Sequence, residues 1–82
     1  MTTEPGEEFI WQSATLRGQN KFDEAIAVID ENMNQISPTI KFNALNEKFQ
    51  AAREKGDEKL AQKMAREMSK EHPNFPSIQG YL

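Results

Sequence analysis

Two segments of the chain share the same layout, and this internal repeat constrains the fold more than any other feature. Residues 20–38 and 56–73 each begin with turn residues, continue as an amphipathic helical pattern around a small alanine, and end at a proline. The closing prolines are 35 residues apart, and the alanines, Ala25 and Ala61, are 36 residues apart. This period falls in the range of architectures built from stacked pairs of helices. The sequence therefore predicts a helical repeat, which is usually a binding scaffold.

Length and composition limit the class of protein. A chain of 82 residues is predicted to form one domain, residues 1–82, that buries only about 60% of its unfolded surface. The sequence has no cysteine, which excludes disulfides and thiolate metal sites. The acidic start MTTEPGEEF is not typical of a secretory signal, and no apolar run approaches the roughly 20 residues that cross a bilayer. We expect a cytoplasmic protein with no membrane contact, no metal and no cofactor.

The charges are distributed unevenly along the chain. Residues 1–36 carry seven acidic against two basic side chains, a net charge of −5, whereas residues 37–82 carry eight basic against six acidic, a net charge of +2. Two interpretations remain open: the halves of different molecules attract each other head to tail, or the charges form an ordinary solvated surface.

The apolar periodicity predicts four helices and no strand. Because the connections are short, neighbouring helices are expected to be antiparallel. The predicted fold class is all-α, with two stacked antiparallel helical hairpins and a non-helical C-terminal tail. The predicted helices cover about 5–17, 22–35, 38–55 and 57–72, the repeat pair covers about 7–38 and 39–73, and the tail is 74–82.

Capping and turn residues set the predicted ends of the helices. Gly18 and Gly56 can adopt the left-handed conformation that ends a helix. Asn20 resembles an N-cap for the second helix, and Ser37 and Asp57 are expected to cap the third and fourth helices.

The segment NKFDEAI, which contains Ala25, resembles the Gly-Asp-Tyr-Asp-Glu-Ala-Ile stretch of tetratricopeptide repeats. The segment KGDEKLA, which contains Ala61, looks like a weaker second copy. Ser13 and Leu16 match a small-then-large pair that the family uses where two helices cross. The resemblance covers residues 7–73, as two degenerate repeats, and implies a module that binds a peptide segment or a partner protein.

Two aromatic residues depart from the family pattern. Phe49 stands where the third helix should have a small residue. The first helix has Phe9 where the family often has tryptophan, and its own tryptophan, Trp11, comes two residues later.

The resemblance also implies a concave binding surface lined by the first helix of each pair. Amide groups there could pair with an extended peptide, and Arg17 and Arg53 could hold a carboxylate in bidentate fashion. The alternative is a solvated polar face without a ligand. The implied lining residues are Glu7, Ile10, Ala14 and Arg17 in the first helix, and Asn43, Asn46, Gln50 and Arg53 in the third.

A basic stripe on the fourth helix is a second candidate surface. Its members, spaced four, three and four residues apart, share one helix face: Lys59, Lys63, Arg66 and Lys70. Four aligned cations could contact phosphates. Nucleic acid is nevertheless the less favoured partner, since the pI is about 5.1 and two acidic residues adjoin the stripe; a solvated face is the simpler interpretation.

The tail contains four apolar residues that are poorly suited to free solvent: Phe75, Ile78, Tyr81 and Leu82. Repeat arrays need capped ends, and two pairs are fewer than the three or so usually required for stability. The tail is therefore expected to cap the fourth helix, to dock on another protein, or to share a dimer seam with Trp11.

The sequence offers little support for catalysis. Its only histidine, His72, lies at a helix C-terminus, where the helix dipole favours a cation. Adjacent acidic pairs such as Asp30 and Glu31 point in different directions. The leading prediction is a non-catalytic protein-interaction module or small adaptor, with a homodimer as one arrangement. An accessory protein that contacts nucleic acid through the basic stripe is the alternative.

Overall fold

The computed structural model describes residues 4–82. Within that range the chain is helical, and none of these residues forms a β-strand, which confirms the all-α class. The radius of gyration is 12.1 Å, close to the roughly 12 Å of a compact chain of this length. The α-helices are α1 (Glu7–Gly18), α2 (Phe22–Asn32), α3 (Lys41–Lys55) and α4 (Glu58–Ser69), and the 3-10 helices are Met33–Gln35, Pro38–Ile40 and Pro76–Tyr81.

Each α-helix packs against the next one in the chain, and α1 also contacts α3. Two apolar clusters fill the interior. The smaller one centres on Ile29 of α2 and Ala44 of α3, with Phe9 and Ile10 of α1 packed against it. The larger one joins α3, α4 and the C-terminal 3-10 helix. Its fully or nearly buried members are Leu45, Phe49, Ala52, Ala61, Met64, Ala65, Met68 and Ile78.

The first helix begins at Glu7, and the predicted start at Pro5 is wrong. Gly6, the preceding residue, has a φ of 88°, a left-handed conformation that glycine adopts without strain. A Cβ atom at Gly6 would lie 2.5 Å from the Cα atom of Ile36. The Pro5 carbonyl also accepts a hydrogen bond from the Ser37 N–H at 2.8 Å. The chain therefore enters α1 through a tight contact with the α2–α3 connection.

The turn between α1 and α2 differs from both sequence predictions. Gly18 lies inside α1, and Asn20 takes the left-handed conformation instead, with a φ of 63°. Asparagine tolerates this conformation better than most residues. Consequently Asn20 is not the N-cap of α2; that position is Lys21, which makes no side-chain capping bond.

Of the other predicted caps, Asp57 and Gly56 are confirmed, whereas Ser37 caps the 3-10 helix Pro38–Ile40 and not α3, whose N-cap, Ile40, makes no side-chain capping bond. The Ser37 hydroxyl accepts a hydrogen bond from the Thr39 N–H at 3.2 Å, and Asp57 Oδ1 accepts one from the Leu60 N–H at 3.1 Å. Gly56 ends α3 with a φ of 90°. The third α-helix starts later than predicted, at Lys41, because the residues after Ser37 form a 3-10 turn first.

The crossing of α1 and α2 is close, whereas the equivalent point of α3 carries a large side chain. Ser13 is fully buried, and its hydroxyl donates to the Ala25 carbonyl at 2.8 Å. The residues 36 positions after Ser13 and Ala25 are Phe49 and Ala61. Phe49 is also fully buried, and its ring meets that of Tyr81 edge-on at 5.3 Å. A ring from the tail therefore packs on the residue that departs from the repeat pattern.

The C-terminal tail is not non-helical as predicted, because Pro76–Tyr81 forms a 3-10 helix. Pro76 occupies its first turn, where the fixed φ of proline is compatible with a helix. The Gln79 amide donates to the carbonyls of Pro73 at 2.7 Å and Phe75 at 3.1 Å. The short helix buries Ile78 completely in the larger cluster. In this structure the tail covers the apolar surface of α3 and α4.

Candidate functional site

The predicted concave surface is largely occupied by contacts within the chain. Arg17 Nε donates to Glu47 at 3.1 Å, and Arg17 Nη1 donates to Glu54 at 2.7 Å. Burial lowers the pKa of Arg17, but the hydrogen bonds and negative charges of Glu47 and Glu54 outweigh burial and raise the pKa above its usual value. The Arg17 guanidinium therefore already holds two carboxylates and joins α1 to α3.

The polar residues of α3 mostly bind one another. Arg53 donates to the Gln50 side chain at 2.5 Å, and Gln50 donates to Asn46 at 3.5 Å. The Arg53 guanidinium also lies 5.5 Å from the centre of the Phe49 ring. Asn43 is exposed at the start of the same row. Arg53 and Asn43 are the most accessible of the predicted groove residues, while Arg17, the other half of the predicted carboxylate clamp, is engaged.

Trp11 is the most exposed large apolar side chain of the described residues, with 66% of its surface accessible. Two adjoining depressions meet at its ring: carboxylates line one, and mainly neutral polar side chains line the other. We call this surface of α1 the Trp11 face. It consists of Glu4, Glu7, Glu8, Trp11, Gln12, Thr15, Leu16 and Gln19.

The corresponding side of α3 is covered by a helix. Four residues of α3 share one helix face, because they are spaced four, three and four residues apart: Ala44, Lys48, Ala51 and Lys55. Ala44 packs with Ile29 of α2. Lys48 and Lys55 pair with two carboxylates of α2, each at 2.5 Å. Hydrogen bonding and charge from its α2 partner raise the pKa of Lys55. This α3 face is therefore an interhelical interface.

A shift of 36 residues toward the N-terminus places the same spacing on α1. The matching residues are Glu8, Gln12, Thr15 and Gln19. All four are exposed. Where α3 has two buried alanines, Ala44 and Ala51, α1 has an exposed acid, Glu8, and an exposed threonine, Thr15. The large apolar side chains beside this polar row are the exposed Trp11 and the half-buried Leu16.

The basic stripe on α4 projects into solvent, as its spacing predicts. Lys59, Lys63, Arg66 and Lys70 are all exposed. Within residues 4–82 none of the four forms an ion pair, in contrast to Lys48 on α3. The two adjoining acidic residues, the half-buried Glu67 and the exposed Glu71, line one surface depression together with the stripe residue Lys70 and with Lys41 and Leu45. The stripe is therefore a line of four cations available to an external anion.

The remaining predicted interface residues do not form one surface. Ile78 is completely buried, and Phe75 and Tyr81 pack against the larger cluster, so of the four apolar tail residues predicted to form an interface only Leu82, with 59% of its surface accessible, is exposed. The tail packs on α3 and α4, whereas α1 packs on α2 and α3. Trp11 and the tail therefore lie on different parts of the molecule.

Sequence reasoning did not identify the aromatic contacts at the end of α4. The Phe42 ring meets the rings of His72 and Phe75 edge-on, at 4.4 and 5.1 Å. His72 is exposed beside these rings. The part of the chain that the structure describes contains no group of three or more side chains arranged to hold a metal ion. None of the helices in that part is both long enough and apolar enough to cross a bilayer.

Comparisons with known proteins gave no match: no family model fits the sequence, and no curated protein or solved structure resembles the chain significantly.

Proposed function

We propose that this chain is a non-catalytic protein-interaction module and that the Trp11 face is its main binding surface. The observation that carries the proposal is the exposure of Trp11, 66% accessible, beside a row of exposed α1 residues whose counterparts in α3, among them Ala44 and Lys48, are covered by α2. Tryptophan is enriched among the residues that dominate binding energy at protein interfaces. A partner segment that covers α1 would bury this ring.

The scaffold that we propose is a degenerate pair of tetratricopeptide-like hairpins. Three observations support it. Sequential helices pack on one another. The helices α1 and α3 also touch, through Arg17 and Glu47. The small residues Ser13 and Ala25, 12 positions apart, meet at a helix crossing. In such a stack the outer side of the first helix is an open end.

The Trp11 face is a better binding surface than the concave row. A ligand carboxylate that recruited Arg17 would have to displace Glu47 and Glu54, and breaking charge-assisted bonds offsets the gain from new ones. At the Trp11 face the Glu7 carboxylate accepts one hydrogen bond, from the Glu4 N–H at 3.3 Å, and within residues 4–82 its carboxylates form no ion pair that a ligand would have to break. Its carboxylates and aromatic ring favour a segment that carries both lysine or arginine and apolar groups, because a cation over an indole ring is stabilised electrostatically.

Site-specific photocrosslinking in the cells that produce the protein tests this function. A photoreactive phenylalanine derivative in place of Gln12, which is exposed beside Trp11, is expected to give discrete protein adducts. The same group in place of Glu31, an exposed residue of α2, is the matched control and should give none of them. Adding Trp11→Ala to the Gln12 variant should remove the adducts. Equal labelling from both positions, or no adduct at Gln12, would contradict the proposed function.

Contact with nucleic acid through the basic stripe is the second candidate, and the exposure of its four cations, which form no ion pair within residues 4–82, favours it. If all four contacted phosphates, the affinity for a duplex oligonucleotide should fall about 10²-fold between roughly 50 and 200 mM salt. Fluorescence anisotropy at the two salt concentrations measures this change. A flat salt response, or no binding at the lower concentration, rules this function out.

A further inference from the structure

We propose that the Trp11 face of one molecule binds the basic stripe of a second copy, so that molecules associate head to tail. This inference rests on the proposed function and names the partner. Its basis is that two surfaces of the same chain carry opposite charges, and that a helical row of equal length, which in the Trp11 face includes one of the carboxylates, Glu8, runs along each of them.

The charges on the two faces are opposite and available. Three carboxylates, those of Glu4, Glu7 and Glu8, border the Trp11 face, and within residues 4–82 none of them forms an ion pair. The stripe presents four cations that form no ion pair with any of the described residues. Opposite potentials of this kind steer two surfaces together and fix their orientation.

The spacing of the two faces also matches. Glu8, Gln12, Thr15 and Gln19 follow a spacing of four, three and four residues, and the stripe from Lys59 to Lys70 repeats it. Each row spans 11 residue steps, or about 16 Å along a helix. The same spacing occurs on the α3 face that packs against α2. Two rows of equal length can therefore lie side by side, with Trp11 against the aliphatic stems of lysine or arginine.

A single molecule cannot make this contact. Helix α1 packs on α2 and α3, whereas α4 packs on α3 and on the C-terminal 3-10 helix. The docked tail does not cover the stripe. Its Ile78 packs on the apolar surface between α3 and α4, and the stripe residues remain exposed. The second copy therefore meets the charged outer side of α4 and leaves the tail in place.

Two variants, each of which disables one of the two surfaces, test the proposal. Trp11→Ala disables the Trp11 face and leaves the stripe intact; Arg66→Glu does the reverse. Both positions are exposed, so circular dichroism should show unchanged folding. In sedimentation velocity the natural chain is expected to self-associate, and each variant alone should associate about tenfold or more weakly. An equimolar mixture should form a 1:1 complex, since each partner supplies the face that the other lacks.

The matched controls make the same kinds of substitution at positions outside the Trp11 face and the stripe. Leu82→Ala removes a large exposed apolar side chain outside both surfaces, and Lys21→Glu reverses an exposed cation outside the stripe. Both should associate like the natural chain. Raising the salt concentration should weaken the association by screening.

Three results would overturn the proposal: a natural chain that stays monomeric at every concentration, a mixture that forms no complex, or an association that only one of the two variants weakens. The crosslinking experiment shows whether only the head-to-tail association is wrong or the proposed function is wrong as well. If the adducts at Gln12 have a mass other than that of two copies, the chain is still an interaction module, but its partner is not a second copy. A monomeric chain that loses oligonucleotide binding on Arg66→Glu would assign the stripe to nucleic acid.

Discussion

Truncation after Pro73, which removes residues 74–82, is expected to lower the free energy of unfolding by at least about 3 kcal/mol. Ile78 is completely buried, and Phe75 and Tyr81 pack on the same cluster. Removing one buried isoleucine side chain alone typically costs about 2–5 kcal/mol. A chain of this size has a total stability of only about 4–12 kcal/mol. The truncated chain should therefore be close to unfolding at room temperature.

Urea titration followed by circular dichroism measures this loss. The denaturation midpoint should fall, and Ile78→Ala should reproduce much of the change in the full-length chain. Leu82→Ala is the matched control, because this residue belongs to the same tail but has 59% of its surface exposed; its effect should stay within about 0.5 kcal/mol. A truncated chain with the same midpoint as the full chain would show that the tail does not cap the fold.

Local signals explain which parts of the fold the sequence predicted well. Asp57 and Ser37 cap their helices through groups two or three residues away, and Gly56 ends α3 by its own backbone conformation. Residue type and nearest neighbours determine these features. The exposure of the stripe residue Arg66 follows in the same way, from its position opposite the apolar face of α4.

Features that depend on distant residues could not be predicted in this way. The start of α1 depends on the approach of Gly6 to Ile36, 30 positions away. Arg17 was expected to be free for a ligand, but Glu47, also 30 positions away, binds it. Periodicity places a residue on a helix face without showing which helix covers that face. For the same reason the sequence pattern did not show that Trp11 would be exposed.

Phe49 connects the departure from the repeat pattern with the tail. At the α1–α2 crossing, the small Ser13 bonds directly to the Ala25 backbone. At the position 36 residues later, the Phe49 ring contacts Tyr81 of the tail and belongs to the same buried cluster as Ile78. The larger side chain thus gives the tail an apolar surface to cover. We infer that Phe49 and the tail act as one capping unit at this end of the molecule.

Phe49→Ala is accordingly expected to destabilise the fold by about 3–5 kcal/mol, because the ring is fully buried and its loss leaves a cavity. Phe49→Leu keeps most of the apolar volume and should cost clearly less, which makes it the matched control. Chemical denaturation of both variants and the natural chain measures the difference. If Phe49→Ala and Phe49→Leu lowered the free energy of unfolding equally, the surrounding side chains would have to collapse into the space, and the Phe49 ring would not be specifically required.

A double-mutant cycle then tests whether Phe49 and the tail are coupled. Phe49→Ala combined with Ile78→Ala should cost less than the sum of the two single changes, because each substitution already removes part of the packing that the other provides. Residues in contact usually show coupling energies of about 0.5–3 kcal/mol. Phe49→Ala combined with Ile29→Val, a change in the smaller cluster, should be additive within about 0.5 kcal/mol. Additivity in both pairs would mean that Phe49 supports α3 and α4 independently of the tail.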